Sequence, residues 1–143
     1  MARIEESVEI NCPVEKVFAY TTDAGKWNQW QSIILEAEQT SPGSVNVGTT
    51  FRGTTRLMGR TMKWTARATE FEPPERYGKD IISGSVLIEQ HNTYRPTTQG
   101  SRFTIVYDMK VGGLFKVMSP LLVHSMRTEL KKSLANLKQI LEK

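Results

Sequence analysis

Residues 115–141 read FKVMSPLLVHSMRTELKKSLANLKQIL, and here the hydrophobic period of the chain changes from two to 3.6. Phe115, Met118, Leu122, Met126, Leu130, Ser133, Leu137 and Ile140 form one continuous stripe, with Lys116, His124, Arg127, Lys131 and Lys138 on the far side. This pattern predicts a long amphipathic helix that buries one face. Pro120 lacks the N–H that a helix interior needs, so the helix either starts near residue 119 or kinks after Lys116.

Upstream of Gly112-Gly113 the pattern alternates instead. Phe103, Ile105, Tyr107 and Met109 share one face; Phe51, Gly53, Thr55 and Leu57 oppose Arg52, Thr54 and Arg56; Met62, Trp64, Ala66 and Ala68 oppose Lys63, Thr65 and Arg67. Each is a half-buried strand. Turn chemistry at Ser41-Pro42-Gly43, Met58-Gly59, Pro73-Pro74, Ile82-Ser83-Gly84 and Gln99-Gly100 separates successive antiparallel strands. At the N-terminus Ile4, Val8 and Ile10 mark a first strand, stopped by Asn11-Cys12-Pro13. Pro13 suits a first helical turn, with Asn11 or Cys12 as cap, and Val14, Val17, Phe18 and Thr21 make the inner stripe of a short helix. Trp27 and Trp30, three apart, fall on one side of a second short helix. The order is strand, two short helices, about six strands and a long helix. An α+β architecture satisfies it: a strongly curved antiparallel sheet wrapped around the C-terminal helix. The 143 residues suit one domain, 1–143, whose core needs neither metal nor disulfide. A helix closing the mouth of a curved sheet leaves space for a small molecule.

Composition removes several function classes. With 38% apolar and 24% charged residues, the chain is neither membrane-spanning nor disordered. Cys12 is its single cysteine, so no intrachain disulfide forms, and with no secretory signal pattern the expected location is cytoplasmic. The net charge of +4 is spread without a Lys/Arg run, which argues against nucleic acid as a partner. No stable membrane insertion is expected, and the oligomeric state is left open.

Five landmarks occur in one order: Asn11-Cys12-Pro13-Val14-Glu15-Lys16-Val17-Phe18; Trp27-Asn28-Gln29-Trp30; Phe71-Glu72-Pro73-Pro74-Glu75-Arg76; Tyr94-Arg95-Pro96 before Gly100-Ser101-Arg102-Phe103; and residues 134–142. Together they resemble the START/Bet v 1-like superfamily, in particular its polyketide cyclase/dehydrase and lipid-transport group. The resemblance implies a helix-grip fold with a hydrophobic cavity. Its members include carriers, sensors and aromatase/cyclases, and no catalytic residue transfers through these landmarks.

Chemistry-bearing motifs are sparse. No Gly-x-Ser-x-Gly elbow accompanies His91 or His124, both of which fall on charged faces. Neither a His-x-x-x-His pair nor a Gly-rich loop opening a helix is present, so no metal or cofactor is expected. The polar residues on inner faces are more telling. Register places Gln90 and Asn92 beside Ile88 and Tyr94, where they either form an internal hydrogen-bond network or anchor a ligand. Glu129 falls within the helix stripe, where it either faces the cavity as an acid or base or pairs with Lys132 at the stripe's edge; the pairing is favoured. Tyr107 is a second candidate proton donor on an otherwise apolar face. The expected lining is Trp30, Phe51, Thr55, Trp64, Ile88, Gln90, Asn92, Phe103, Ile105, Tyr107, Met118, Leu122, Met126 and Glu129. Trp27 and Trp30 either guard the entrance or anchor the short helices. The resulting expectation is a binder of a hydrophobic or aromatic small molecule, lipid or polyketide-like, with a polyketide cyclase/dehydratase-type enzyme as the alternative.

Overall fold

A computed structural model describes residues 2–111 and 119–143. In chain order the elements are β1 (Ala2–Ile10), α1 (Val14–Thr21), a 3-10 turn (Ala24–Lys26), α2 (Trp27–Trp30), β2 (Ile34–Gln39), β3 (Thr50–Leu57), β4 (Arg60–Glu72), β5 (Arg76–Ser83), β6 (Val86–Pro96), β7 (Ser101–Val111) and α3 (Ser119–Leu141). The strands form a seven-stranded antiparallel sheet in the order β1-β7-β6-β5-β4-β3-β2. Among the described strands, only the β1–β7 pairing joins strands distant in sequence; the other neighbours are consecutive in the chain and antiparallel. The Met58-Gly59 turn between β3 and β4 has positive φ at both residues (54° and 76°), the backbone of a tight hairpin. Register shifts between Ile34 and Glu36 and between Ala68 and Glu70 bend the sheet, as bulges do.

The concave face is the apolar one. Along β4, buried or half-buried Met62, Trp64, Ala66 and Ala68 alternate with exposed Lys63, Thr65 and Arg67. Helix α3 begins at Ser119, so Pro120 falls in its first turn, where a missing N–H is harmless. It buries Met126, Leu130, Ser133, Leu134, Leu137 and Leu141. Phe115 and Met118 of the predicted stripe lie outside the described residues. This curved sheet gripping α3 is the helix-grip fold, and no described helix is long and apolar enough to cross a membrane.

Polar ties set the pose of α3. Lys138 Nζ donates to Glu9 O at 2.8 Å on β1 and to Glu142 Oε2 at 2.7 Å. Asn11 N–H donates to the same carboxylate at 2.8 Å, and the Lys138 ammonium together with this bond holds the Glu142 carboxyl below its usual range. Neither Asn11 nor Cys12 is the cap of α1. Pro13 occupies the cap position without a side-chain bond, because a proline there already sets the entry φ and its carbonyl accepts from Val17 N–H at 3.2 Å.

Gly53 decides how β3 and β4 pack. It sits opposite Trp64 in register, and a Cβ there would overlap Trp64 Cζ2 and lie 2.5 Å from Glu36 O. The indole lies flat across a position that has no side chain. Gly53→Ala is expected to destabilise the protein by about 1–3 kcal/mol, the cost of overpacking a filled site. Denaturant unfolding followed by tryptophan fluorescence measures it, and an unchanged midpoint would show that Trp64 moves aside freely.

Candidate ligand-binding site

Between the concave face of β3 to β7 and the first turns of α3 lies a cavity of about 880 Å³. Thr55 and Leu57 come from β3, Met62 and Trp64 from β4, Ile81 from β5, Ile88 and Gln90 from β6, Tyr107 and Met109 from β7, and Leu122 and Met126 from α3. Its exposed rim consists of two hairpin ends, Met58 to Lys63 and Gly84-Ser85. The volume falls within the range of small-molecule sites, roughly 300–1,000 Å³. The wall is largely apolar, and its methionines adapt to irregular shapes.

The other end of the concave face is filled. Helices α1 and α2 cover it with an aromatic cluster in which Phe18 meets Tyr94 edge-on at 4.9 Å, Tyr94 stacks on Phe103 at 4.9 Å, and Trp30 meets Phe103 at 6.1 Å. A buried polar thread runs from the cavity wall into this cluster. Gln90 Nε2 donates to Asn92 Oδ1 at 3.0 Å, Asn92 Nδ2 to Tyr94 Oη at 3.5 Å, and Tyr94 Oη meets Thr21 Oγ1 at 2.7 Å. Thr21 Oγ1 itself donates to Val17 O at 2.8 Å, so the Tyr94 hydroxyl donates to Thr21. Each amide thus has a partner despite its burial.

The structure brings Thr55, Trp64, Ile88, Gln90, Tyr107, Leu122 and Met126 together around the cavity. It does not bring the other expected lining residues there. Trp30, Phe51, Phe103 and Ile105 lie in the packed core, and Asn92 is one step along the thread. Met118 lies outside the described residues. Glu129 is turned to the α2–α3 junction, where it accepts from Ser32 Oγ at 2.6 Å and lies 3.5 Å from Lys132 Nζ. Trp27 and Trp30 anchor the short helices: both are fully buried, and Trp27 Nε1 donates to Thr21 O at 2.8 Å. Burial pushes the Tyr107 hydroxyl up to about 12, so it remains a neutral donor.

Sequence reasoning missed Lys79. It lies on the concave face of β5 between Tyr77 and Ile81, is 3% exposed, and lines the cavity. Its ammonium sits 3.4 Å from the centre of the Trp27 ring, with Tyr77 at 5.8 Å and Phe51 at 5.9 Å. No described carboxylate pairs with it, and burial alone lowers its pKa from 10.5 to about 7. The signal was present: period two across residues 77–81 places Lys79 with Tyr77 and Ile81, and Asp80 on the other face.

A curved antiparallel sheet gripping a long helix, with a mainly apolar cavity between them, is the START/Bet v 1-like fold. The chain belongs to the polyketide cyclase / dehydrase and lipid transport family, whose model matches residues 1–142. TTHA0849 from Thermus thermophilus is similar in structure, with TM-score 0.83 and 16% identity over 96% of this chain and 95% of that one. A START superfamily protein from Mycobacterium smegmatis superposes with TM-score 0.80 at 14% identity, covering 96% of this chain and 98% of the other. The di-domain ARO/CYC BexL from the BE-7585A biosynthetic pathway matches with TM-score 0.77 at 14% identity, over 99% of this chain and 50% of its own. No curated protein matches the sequence. At these identities the likeness carries the fold and nothing finer.

The burial of Lys79 has a measurable consequence. Folding lowers its pKa, so between about 7 and 10.5 the unfolded chain binds the extra proton and stability rises with pH through that window. Below about 7 both states are protonated and the full cost of the buried charge is present. Lys79→Met is therefore expected to stabilise the protein by about 1–4 kcal/mol at pH 6, with the gain shrinking as pH rises toward 10. Paired denaturant titrations at several pH values measure this difference; a variant less stable than the parent at pH 6 would show that the aromatic rings compensate the charge fully.

Proposed function

We propose that the protein binds a hydrophobic small molecule, lipid or polyketide-like, in the cavity between the sheet and α3. The observation that carries this reading is the cavity of about 880 Å³ with its largely apolar wall and a few convergent polar groups, Lys79, Gln90 and Tyr107. Such a wall supplies affinity by burial of apolar surface, and the polar groups supply orientation. The family supports this reading, since its description joins lipid transport with polyketide cyclase and dehydrase activity. We read the chain as one domain over 1–143, with the ligand as its principal partner and no role for nucleic acid. A cytoplasmic location fits its single, buried cysteine.

A second reading, a cyclase-type enzyme using the same cavity, is favoured by one observation. An amine with its pKa near 7, Lys79, lines the same cavity as the neutral phenol of Tyr107; the amine is poised to take a proton from a poly-ketone near neutral pH, and the phenol can donate a hydrogen bond to the developing enolate. Glu129, hydrogen-bonded away from the cavity, has no part in it.

Native mass spectrometry of the purified protein, with extraction of any bound compound, tests the binding reading directly. An apolar compound is expected, and adding it back in excess is expected to raise the unfolding free energy by about 2.7 kcal/mol at a hundredfold excess over its Kd. Ile88→Trp, which fills the cavity from β6, is expected to abolish this stabilisation while leaving the protein folded. An empty protein that no apolar compound stabilises would overturn the binding reading, and turnover of a poly-ketone by the same protein would select the second.

A further inference from the structure

We propose that the ligand of this cavity is an apolar carboxylate whose acidic head rests on the Lys79 ammonium; this rests on the reading of the cavity as a ligand site. The charge of the wall points to it first. Arg60, Lys63 and Lys79 are the charged residues among the described lining, and no carboxylate lines it. A cationic ligand would meet repulsion from every charged group present. A neutral ligand would supply no charge to hold the proton on Lys79.

The second argument is the unfinished coordination of the ammonium. Its three N–H bonds need acceptors, and none of the described residues provides one. Trp27, Tyr77 and Phe51 offer ring faces on one side, which compensate part of the charge but accept no conventional hydrogen bond. On the cavity side the chain runs out of partners. A carboxylate there supplies charge and acceptors together, in a low-dielectric site where a charge-assisted hydrogen bond is strong. A dianionic head, such as a phosphate monoester, would bring a second charge with no buried partner, so a monoanion fits best.

The third argument separates the roles of the cations. Arg60 and Lys63 are exposed at the rim, whereas Lys79 is buried. Rim charges draw an anion toward the mouth, and salt screens that attraction; a buried pair is screened far less. The preference for an acid should therefore survive high salt if Lys79 carries it.

Isothermal titration of the full chain with dodecanoate and with 1-dodecanol, both below their aggregation limits, tests the proposal. The two probes share a tail and differ in the head. Dodecanoate is expected to bind about ten- to hundredfold more tightly. Lys79→Met and Lys79→Gln are both expected to bring the ratio to about one, chiefly through loss of dodecanoate affinity, and the parent ratio is expected to persist at high salt. Loss of preference in the glutamine variant assigns the effect to charge, since glutamine can still donate a hydrogen bond. Equal affinities in the parent protein would overturn the carboxylate while leaving the cavity a ligand site. A preference that survives in Lys79→Met, or that disappears at high salt or in Arg60→Ser with Lys63→Ser, would place the anion at the rim and overturn the role of Lys79. Binding of neither probe would overturn both readings.

Discussion

The indole of Trp27 sits where the packed core ends and the cavity begins, and much of the architecture follows from how it is held. Its N–H donates to Thr21 O at the end of α1, which ties the two short helices and fixes the ring plane. One set of neighbours is core: Phe51 at 5.0 Å and Trp64 at 6.3 Å. The Lys79 ammonium lies over the ring at 3.4 Å. Trp64 in turn can reach this position only because Gly53 leaves the space beneath its indole empty. One orientation of one ring thus links α1, α2, β3, β4 and β5, and places a cation at the cavity wall.

That cation is energetically at odds with its surroundings. Removing an ammonium from water costs several kcal/mol, and a cation–π contact returns about 2 kcal/mol when desolvated. Burial accordingly lowers the pKa of Lys79 to about 7. The polar groups along β6 differ: Gln90, Asn92, Tyr94 and Thr21 each find a partner within the fold. Paired polar groups specify one packing arrangement, whereas an unpaired one beside empty volume leaves a free-energy gradient for something to enter.

Much of the fold was legible in the sequence because it rests on two periodicities. Alternation in β4 and β7 and the 3.6 stripe of α3 each assign a face, and hairpin turns dictate the meander. The site was less legible, for a physical reason. Alternation states which face a residue occupies, but not how far along the strand the helices cover that face. Phe103 and Tyr107 share the inner face of β7, yet α1 and α2 cover the first and leave the second at the cavity. Lys79 escaped because β5 is polar on both faces near its middle, with Lys79 inward and Asp80 outward, so hydropathy alone does not distinguish a buried lysine from a solvated one.

This division between face and position also separates the part of the concave face that holds the fold from the part that faces the cavity. The end of the concave face under α1 and α2 is committed to stability, since its rings interlock and the Thr21–Tyr94–Asn92 hydrogen bonds run through them, while the Trp30 indole N–H and the Tyr77 hydroxyl are buried there without a partner among the described residues. The other end consists of single side chains from separate strands pointing into open volume, and most of these can change without disturbing a neighbour's packing. Lys79 is an exception, because it borders both regions and its charge is felt by the aromatic rings on one side and by the cavity on the other. On the proposed reading, a substitution there would alter ligand preference and fold stability in opposite directions: removing the charge relieves the core and deprives the cavity of its one buried cation among the described residues. If the ligand is the proposed carboxylate, selectivity for it is therefore bound to a stability penalty, and the two cannot be optimised independently at that position.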